Sequence, residues 1–180
     1  MTKIRITGFG GQGVILAGEL LAFAAVLDGK EGSAIGSYGS AARGGLTSSE
    51  VVISDEFIDA PFAEKADILI AMSQDSYDKH YDSVKQNGII IVDSGMVSVK
   101  DFPQQYLIPA TNIATSELKS PVATNMVILG TLVSITKIVS KNALLDAIKE
   151  TVSEKFLEIN LKGIEIGFEK GKELNNLNHG

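Results

Sequence analysis

Short apolar runs alternate with longer helical patterns along the whole chain. Lys3-Ile4-Arg5-Ile6-Thr7 alternates polar and apolar positions and then meets glycines, which predicts a first strand. Val14 to Leu27 is apolar on nearly every side, broken only by Gly18 and Glu19, and predicts a buried helix rather than a one-sided surface helix. Ser33 to Tyr38 is a short β-like run, and Thr47 to Ser54 alternates with Val51 and Ile53 on one face. Ala66 to Ser73 and Ile89 to Asp93 are apolar at consecutive positions, the pattern of strands buried on both faces of a parallel sheet. Gln74 to Gln86 is polar and predicts a surface helix closed by Asn87-Gly88. Ser94 to Gln105 reads as a loop, and Tyr106 to Ala110 as a short strand. Beyond Pro121 an apolar helix is expected from Val122 to Val139, a further helix from Asn142 to Lys155, and a last one from Leu161 to Leu174.

Strands alternating with helices predict an α/β fold, a single-domain Rossmann-like three-layer sandwich with a mainly parallel sheet. No crossover helix separates Thr47–Ser54 from the strand before it, so this stretch is expected as the one antiparallel strand. Residues 1–174 are read as one domain and residues 175–180 as a frayed tail.

Composition works mainly by exclusion. The 180 residues include 16 Lys and Arg against 22 Asp and Glu, a net charge of −6, which argues against a broad nucleic-acid footprint. With no Cys, the chain offers no disulfide, no thiolate ligand for an Fe–S cluster and no Cys nucleophile. Two imidazoles, His80 and His179, do not make a multi-His metal site. The first residues enter a strand directly, without the apolar core of a signal peptide, and the Val14–Leu27 stretch is shorter than the ~20 residues a bilayer span needs. A cytoplasmic protein with no membrane or nucleic-acid partner is expected.

Gly8, Gly10 and Gly13 match G-x-G-x-x-G between a strand and a helix. Glycine permits positive φ, and its missing Cβ lets backbone N–H groups approach a phosphate at a helix N-terminus. The same spacing also serves a tight strand-to-helix turn with no ligand. A nicotinamide site needs an acidic residue at the end of the second strand, and the chain has Ile35-Gly36-Ser37-Tyr38 there. No Gly-Lys-Ser/Thr follows the glycines, so a Walker-type nucleotide site is unsupported.

A second loop, Gly39 to Gly45, leaves the second strand at the same end of the sheet. Its Arg43 is flanked by small residues, and a guanidinium suits phosphate or carboxylate because its fork is planar and always charged. Ser37 and Tyr38 add hydroxyls; a solvated Arg in a plain loop is the alternative. His80, among Asp78, Lys79 and Asp82, reads as solvated. Asp93 either binds or caps the turn at Ser94-Gly95, and Asn125 either caps its helix or contacts a neighbour. No nucleophile–base set or carboxylate pair is recognisable by spacing, as in a binding module that lacks catalytic machinery of its own.

Together, Ile6-Thr7-Gly8-Phe9-Gly10-Gly11-Gln12-Gly13-Val14 and Ser37-Tyr38-Gly39-Ser40-Ala41-Ala42-Arg43-Gly44-Gly45 resemble the gamma subunit of 2-oxoacid:ferredoxin oxidoreductases. Glu50–Ser54 and Asn125-Met126-Val127 resemble it too, and the similarity runs from Lys3 to about Phe168. Ser40 replaces a proline usual in that family, and Ser49 stands where Cys is common.

The resemblance implies a subunit of an enzyme that decarboxylates a 2-oxoacid oxidatively, passes electrons to ferredoxin and transfers the acyl group to coenzyme A. Thiamine diphosphate and Fe–S clusters would belong to alpha and beta partner subunits and a ferredoxin-like delta subunit. In this chain Gly10, Gly11, Gln12 and Gly13 would contact phosphate or a partner, and Ser37, Tyr38, Arg43 and Gly44 would approach coenzyme A or a neighbouring subunit. Arg43-Gly44-Gly45 is closer to the 2-oxoglutarate and branched-chain versions than to pyruvate versions, which favours 2-oxoglutarate. The alternatives are a free-standing nucleotide-binding oxidoreductase and the beta chain of an indolepyruvate oxidoreductase.

Overall fold

A computed structural model of the chain describes residues 1–39, 45–59 and 65–178. The strands are β1 (Thr2–Phe9), β2 (Glu31–Tyr38), β3 (Leu46–Ser54), β4 (Ala66–Ala71), β5 (Val84–Asp93) and β6 (Gln105–Ile108). The helices are α1 (Val14–Leu27), α2 (Gln74–His80), α3 (Ala110–Ser116), α4 (Thr124–Thr136), α5 (Lys141–Thr151) and α6 (Glu154–Asn178). The six strands form one sheet in the order β2-β3-β1-β4-β5-β6. β1, β4, β5 and β6 are parallel, and β3 runs antiparallel to both β1 and β2. Among the described residues β3 is therefore the single reversed strand, as the missing crossover helix implied.

Strand alternation assigns side chains to two cores. Ile4, Ile6, Ile68, Ile70 and Ile91 face a large core shared with α1, α4, α5 and α6. Leu69, Ala71, Ile90 and Val92 point the other way, into a smaller core closed by Tyr77 of α2 and Val97. α1 is apolar all round because it is covered from both sides, by the sheet beneath and by α4 and α5 beyond it. Its approach to β2 and β3 is close. A Cβ on Gly18 would fall 2.8 Å from Ser49 Cβ, and one on Gly36 would overlap Ile15.

α6 lies equally close to α4. Gly163, Gly167 and Gly171 recur every four residues, hence on one face, and a Cβ at any of them would collide with α4: Met126 Cβ, the Val127 carbonyl and Ser134 Cβ respectively. The Thr131 hydroxyl donates across this seam to the Gly167 carbonyl at 3.1 Å.

Several boundaries differ from those read in the sequence. The polar helix ends at His80 instead of Gln86; a 3₁₀ turn, Tyr81–Ser83, comes next, and β5 begins at Val84. Asn87-Gly88 is no helix terminus. It sits in a bulge of β5, between the Ala66–Val84 and Ile68–Ile89 pairs, where backbone and Val84 crowd Gly88 too closely for a side chain. Ala110 opens α3 instead of ending a strand, since Pro109 stops the ladder and supplies the N-cap. The helix expected to continue to Lys155 breaks at Val152, which is extended, and α6 then runs through residues 175–178.

Two substitutions test this packing. Gly167→Ala is expected to destabilise the chain by about 1–3 kcal/mol in urea unfolding, because the carbonyl it meets is backbone and cannot move aside. Ser49 Oγ is buried with no hydrogen-bond partner among the described residues, so Ser49→Ala is expected to leave stability unchanged or raise it by up to about 1 kcal/mol.

Candidate functional site

The sheet's topology chooses the site. The connection leaving β1 runs through α1 toward β2, while β4 and β5 lie on the other side of β1. The chain order thus reverses beside β1, and ligands of open α/β sheets bind at the C-terminal strand ends of such a point. Gly10 to Gly13 occupies that place. Gly11 (φ 94°) and Gly13 (φ 72°) both adopt left-handed backbone that a side chain would strain. A Cβ at Gly11 would meet nothing within 4 Å among the described residues, so its requirement is conformational.

Gly13 is the N-cap of α1, which has neither a side-chain cap nor an acidic residue in its first turn. The N-terminal N–H groups of a 14-residue helix thus carry partial positive charge with no side-chain cap or first-turn carboxylate among the described residues to neutralise it. Two donors of the loop are committed: Gly10 N–H donates to the Gly45 carbonyl (3.2 Å), and Gln12 N–H to the Phe9 carbonyl (3.2 Å). The Gln12 carboxamide also points inward, bonded to Phe9 N–H and the Met72 carbonyl.

Three clefts meet this loop. One, of about 230 Å³, lies on the β2 side among Gly10, Gly11, Ile15, Tyr38 and Thr47. Another, about 260 Å³, lies on the α3–α4 side among Gly11, Gln12, Met96, Thr111 and Thr124. The third, about 340 Å³ and mainly apolar, runs from Gly13 and Asn125 past Leu16 and Val122 to Phe156 and Ile159. A larger cleft near Ile89 and Tyr106 is at the opposite, N-terminal ends of β5 and β6.

Registration across the strands brings Tyr38 to the loop. Gly8, Thr47 and Tyr38 are aligned over three adjacent strands, which puts Tyr38 about 10 Å from Gly8 at ordinary strand spacing. Its ring is three-quarters exposed at the cleft. Ser37, one residue earlier, alternates to the sheet face opposite α1. Arg43 and Gly44 lie outside the described residues. Their loop is closed by Gly39 N–H to the Leu46 carbonyl (2.7 Å), and its Gly45 end is bonded to Gly10. The two glycine-rich segments are therefore joined by backbone, a link with no signature in sequence spacing.

The other polar candidates are structural. Asp93 is fully buried; it accepts from Gly95 N–H (3.2 Å) and from Thr111 N–H (3.0 Å) and hydroxyl, holding the start of α3 to the end of β5. Of the two roles its position allowed, Asn125 takes the neighbour contact, donating to the Gly13 carbonyl; it lies inside α4, whose N-cap is Ala123, and its Oδ1 accepts from the adjacent Met126 N–H. Among the described residues no group of three or more His, Asp or Glu is placed to hold a metal ion, and no helix is long and apolar enough to cross a membrane.

Comparison with known proteins agrees with this geometry. Residues 3–170 match the family model for pyruvate ferredoxin/flavodoxin oxidoreductase. The chain is 48% identical, over 96% of its length and 95% of the relative's, to 2-oxoglutarate synthase subunit KorC of Methanocaldococcus jannaschii. Its fold matches the gamma subunit of a keto/oxoacid ferredoxin oxidoreductase from Geobacter sulfurreducens with a TM-score of 0.84 at 37% identity, covering 96% of this chain and 99% of that one. It also matches 2-oxoglutarate:ferredoxin oxidoreductase of Magnetococcus marinus, solved with 2-oxoglutarate, coenzyme A and succinyl-CoA bound, with a TM-score of 0.86 at 26% identity. There the match covers 96% of this chain and 31% of the longer one.

His80 differs from its sequence reading. It is half-buried at the end of α2, and burial first, then the Arg5 and Lys79 charges, lower its pKa from 6.5 to about 4. Arg5 itself is held by Glu50 (2.5 Å) and the Ser83 hydroxyl. The unfolded chain takes up a proton on this imidazole below pH 6.5, and the folded chain does so only near pH 4, so acid favours unfolding within that window. Denaturation followed from pH 7 to pH 4 is expected to show stability falling more steeply for the natural chain than for His80→Gln, by up to one proton's slope.

Proposed function

Because the chain belongs to the pyruvate ferredoxin/flavodoxin oxidoreductase family and is a gamma-type subunit of a 2-oxoacid:ferredoxin oxidoreductase, we propose that it supplies part of the coenzyme A site of a complex oxidising 2-oxoglutarate. The observation that carries this reading is the uncapped N-terminus of α1 beneath a glycine loop at the sheet's switch point, with three clefts converging on it. Coenzyme A has a diphosphate, a further phosphate and a long thiol arm. Phosphate suits free helix N–H groups, and an extended ligand suits clefts that share lining residues such as Gly11, Gly13 and Val122.

In this proposal Gly11, Gly13 and the first turn of α1 seat a phosphate. Tyr38 stands at the hairpin side, Gly10 and Gln12 shape the walls, and Arg43 and Gly44 supply contacts to coenzyme A or a partner subunit; Ser37, on the opposite sheet face, lines none of the three clefts. Alpha and beta subunits provide thiamine diphosphate, and Fe–S clusters in partner chains, including a ferredoxin-like delta subunit, lead electrons to ferredoxin. This chain has no Cys with which to ligate such a cluster. The choice of 2-oxoglutarate is supported by the naming of the 48%-identical relative as a 2-oxoglutarate synthase subunit. A nicotinamide role is disfavoured because β2 ends in Ser37-Tyr38 without the acidic residue that would hold a ribose.

Co-purification from the native source is expected to recover the alpha and beta chains. In the assembled enzyme, Arg43→Ala is expected to raise the KM for coenzyme A about tenfold or more, the loss of one charge-assisted hydrogen bond. Unchanged KM and unchanged assembly would reject this role for Arg43.

A further inference from the structure

Gln12, set between the glycines, has the composition of a ligand contact and the geometry of a brace. Its Oε1 accepts the Phe9 N–H at 2.6 Å, and its Nε2 donates to the Met72 carbonyl at 3.0 Å. One side chain thereby joins the end of β1 to the residue that follows β4. Asn125 holds the opposite flank: its Nδ2 donates to the Gly13 carbonyl at 3.2 Å, and the residue is only 2% exposed.

Both flanking glycines are explained by these amides. A Cβ at Gly8 would run into Gln12 Oε1, and one at Gly13 would lie 2.9 Å from Asn125 Cγ. The two carboxamides occupy the space that side chains at Gly8 and Gly13 would have filled.

We infer that Gln12 is a positioning residue that, with Asn125, fixes the path of residues 9–13 and does not itself touch the ligand. Three of the four residues from Gly10 to Gly13 are glycine, and an unbraced chain of that composition loses more entropy on binding than any other. The clamp removes most of that cost before the ligand arrives. It leaves the Gly11 surface and the first turn of α1 presented to the clefts. The kinetic half of the test rests on the coenzyme A reading; the exchange half does not.

The experiment uses the assembled oxidoreductase carrying Gln12→Leu, Gln12→Glu or Asn125→Ala. Gln12→Leu can make neither bond, whereas Gln12→Glu keeps the acceptor for Phe9 N–H and loses the donor to Met72. With Gln12→Leu, amide hydrogen exchange across residues 9–13 is expected to accelerate about tenfold or more while β4 and α4 stay protected. The KM for coenzyme A should rise roughly fivefold to tenfold with kcat within about twofold. Gln12→Glu should recover part of both effects, and Asn125→Ala should loosen the same loop if Gln12→Leu fails to assemble. A raised KM with loop exchange unchanged would make Gln12 a ligand contact and overturn the inference, as would unchanged exchange in both Gln12→Leu and Asn125→Ala. Faster exchange with unchanged KM would uphold the clamp and overturn the coenzyme A reading instead.

Discussion

Backbone-close packing of α1 on the β2–β3–β1 half of the sheet governs the geometry of the glycine loop and of the clefts around it. A helix ordinarily stands off a sheet by the length of the intervening side chains. Here Gly18 meets Ser49, Gly32 meets the Ala22 carbonyl, and Gly36 meets Ile15, so the two layers approach with almost nothing between them. That approach sets the height at which α1 begins and so the short path the chain must take from Phe9 to Val14. The loop needs left-handed backbone at Gly11 and Gly13 to cover it. A bulkier contact surface would lift α1 and separate its N-terminus from the strand ends where the clefts converge.

The same economy of side chains recurs where α6 covers α4. In both places the stabilising term is dispersion between atoms at close range, together with apolar area removed from water, and the cost is the flexibility glycine brings to the unfolded chain. Electrostatics has a smaller part. Many of the ion pairs join exposed groups on single helices, Lys149–Asp146 and Lys162–Glu158 among them, and such pairs contribute little. Arg5 with Glu50 is the more sheltered pair, tying β1 to β3 on the face away from α1.

Much of this architecture is legible in the sequence, for identifiable reasons. Val14 to Leu27 is readable because its boundaries are abrupt, glycine on one side and Asp28-Gly29 on the other, and its span matches α1. β3 is readable as antiparallel because too few residues precede it for a crossover. Asn87-Gly88 misleads because the same dipeptide serves a helix end, a turn or a bulge, and only pairing of Ala66 with Val84 decides between them. α3 leaves no sign because Ala110 to Ser116 is too short for a periodic pattern, and its start is fixed by Asp93, eighteen residues before Thr111. The glycine loop itself is visible from spacing. Its internal wiring is not, because Asn125 reaches Gly13 from 112 positions away and Gln12 finds Met72 from 60. The burial of His80 is hidden for a related reason: its polar sequence neighbours say nothing about Arg5, which approaches from β1.

The reversed strand has an effect on how such a domain can change over time. Because β3 runs against β2, the segment between them leaves and rejoins the sheet beside the glycine loop, and its exits are pinned by Gly39 to Leu46 and Gly45 to Gly10. Residues between those pins can be exchanged, added or removed with the strand register on either side intact. A right-handed crossover in the same place would have carried the chain back to the far end of the sheet and tied any such alteration to a helix and a core. The hairpin thus keeps both of its pinned ends beside the glycine loop, so that the chemistry offered to a ligand or a neighbouring subunit can drift while the platform of strands and helix stays fixed.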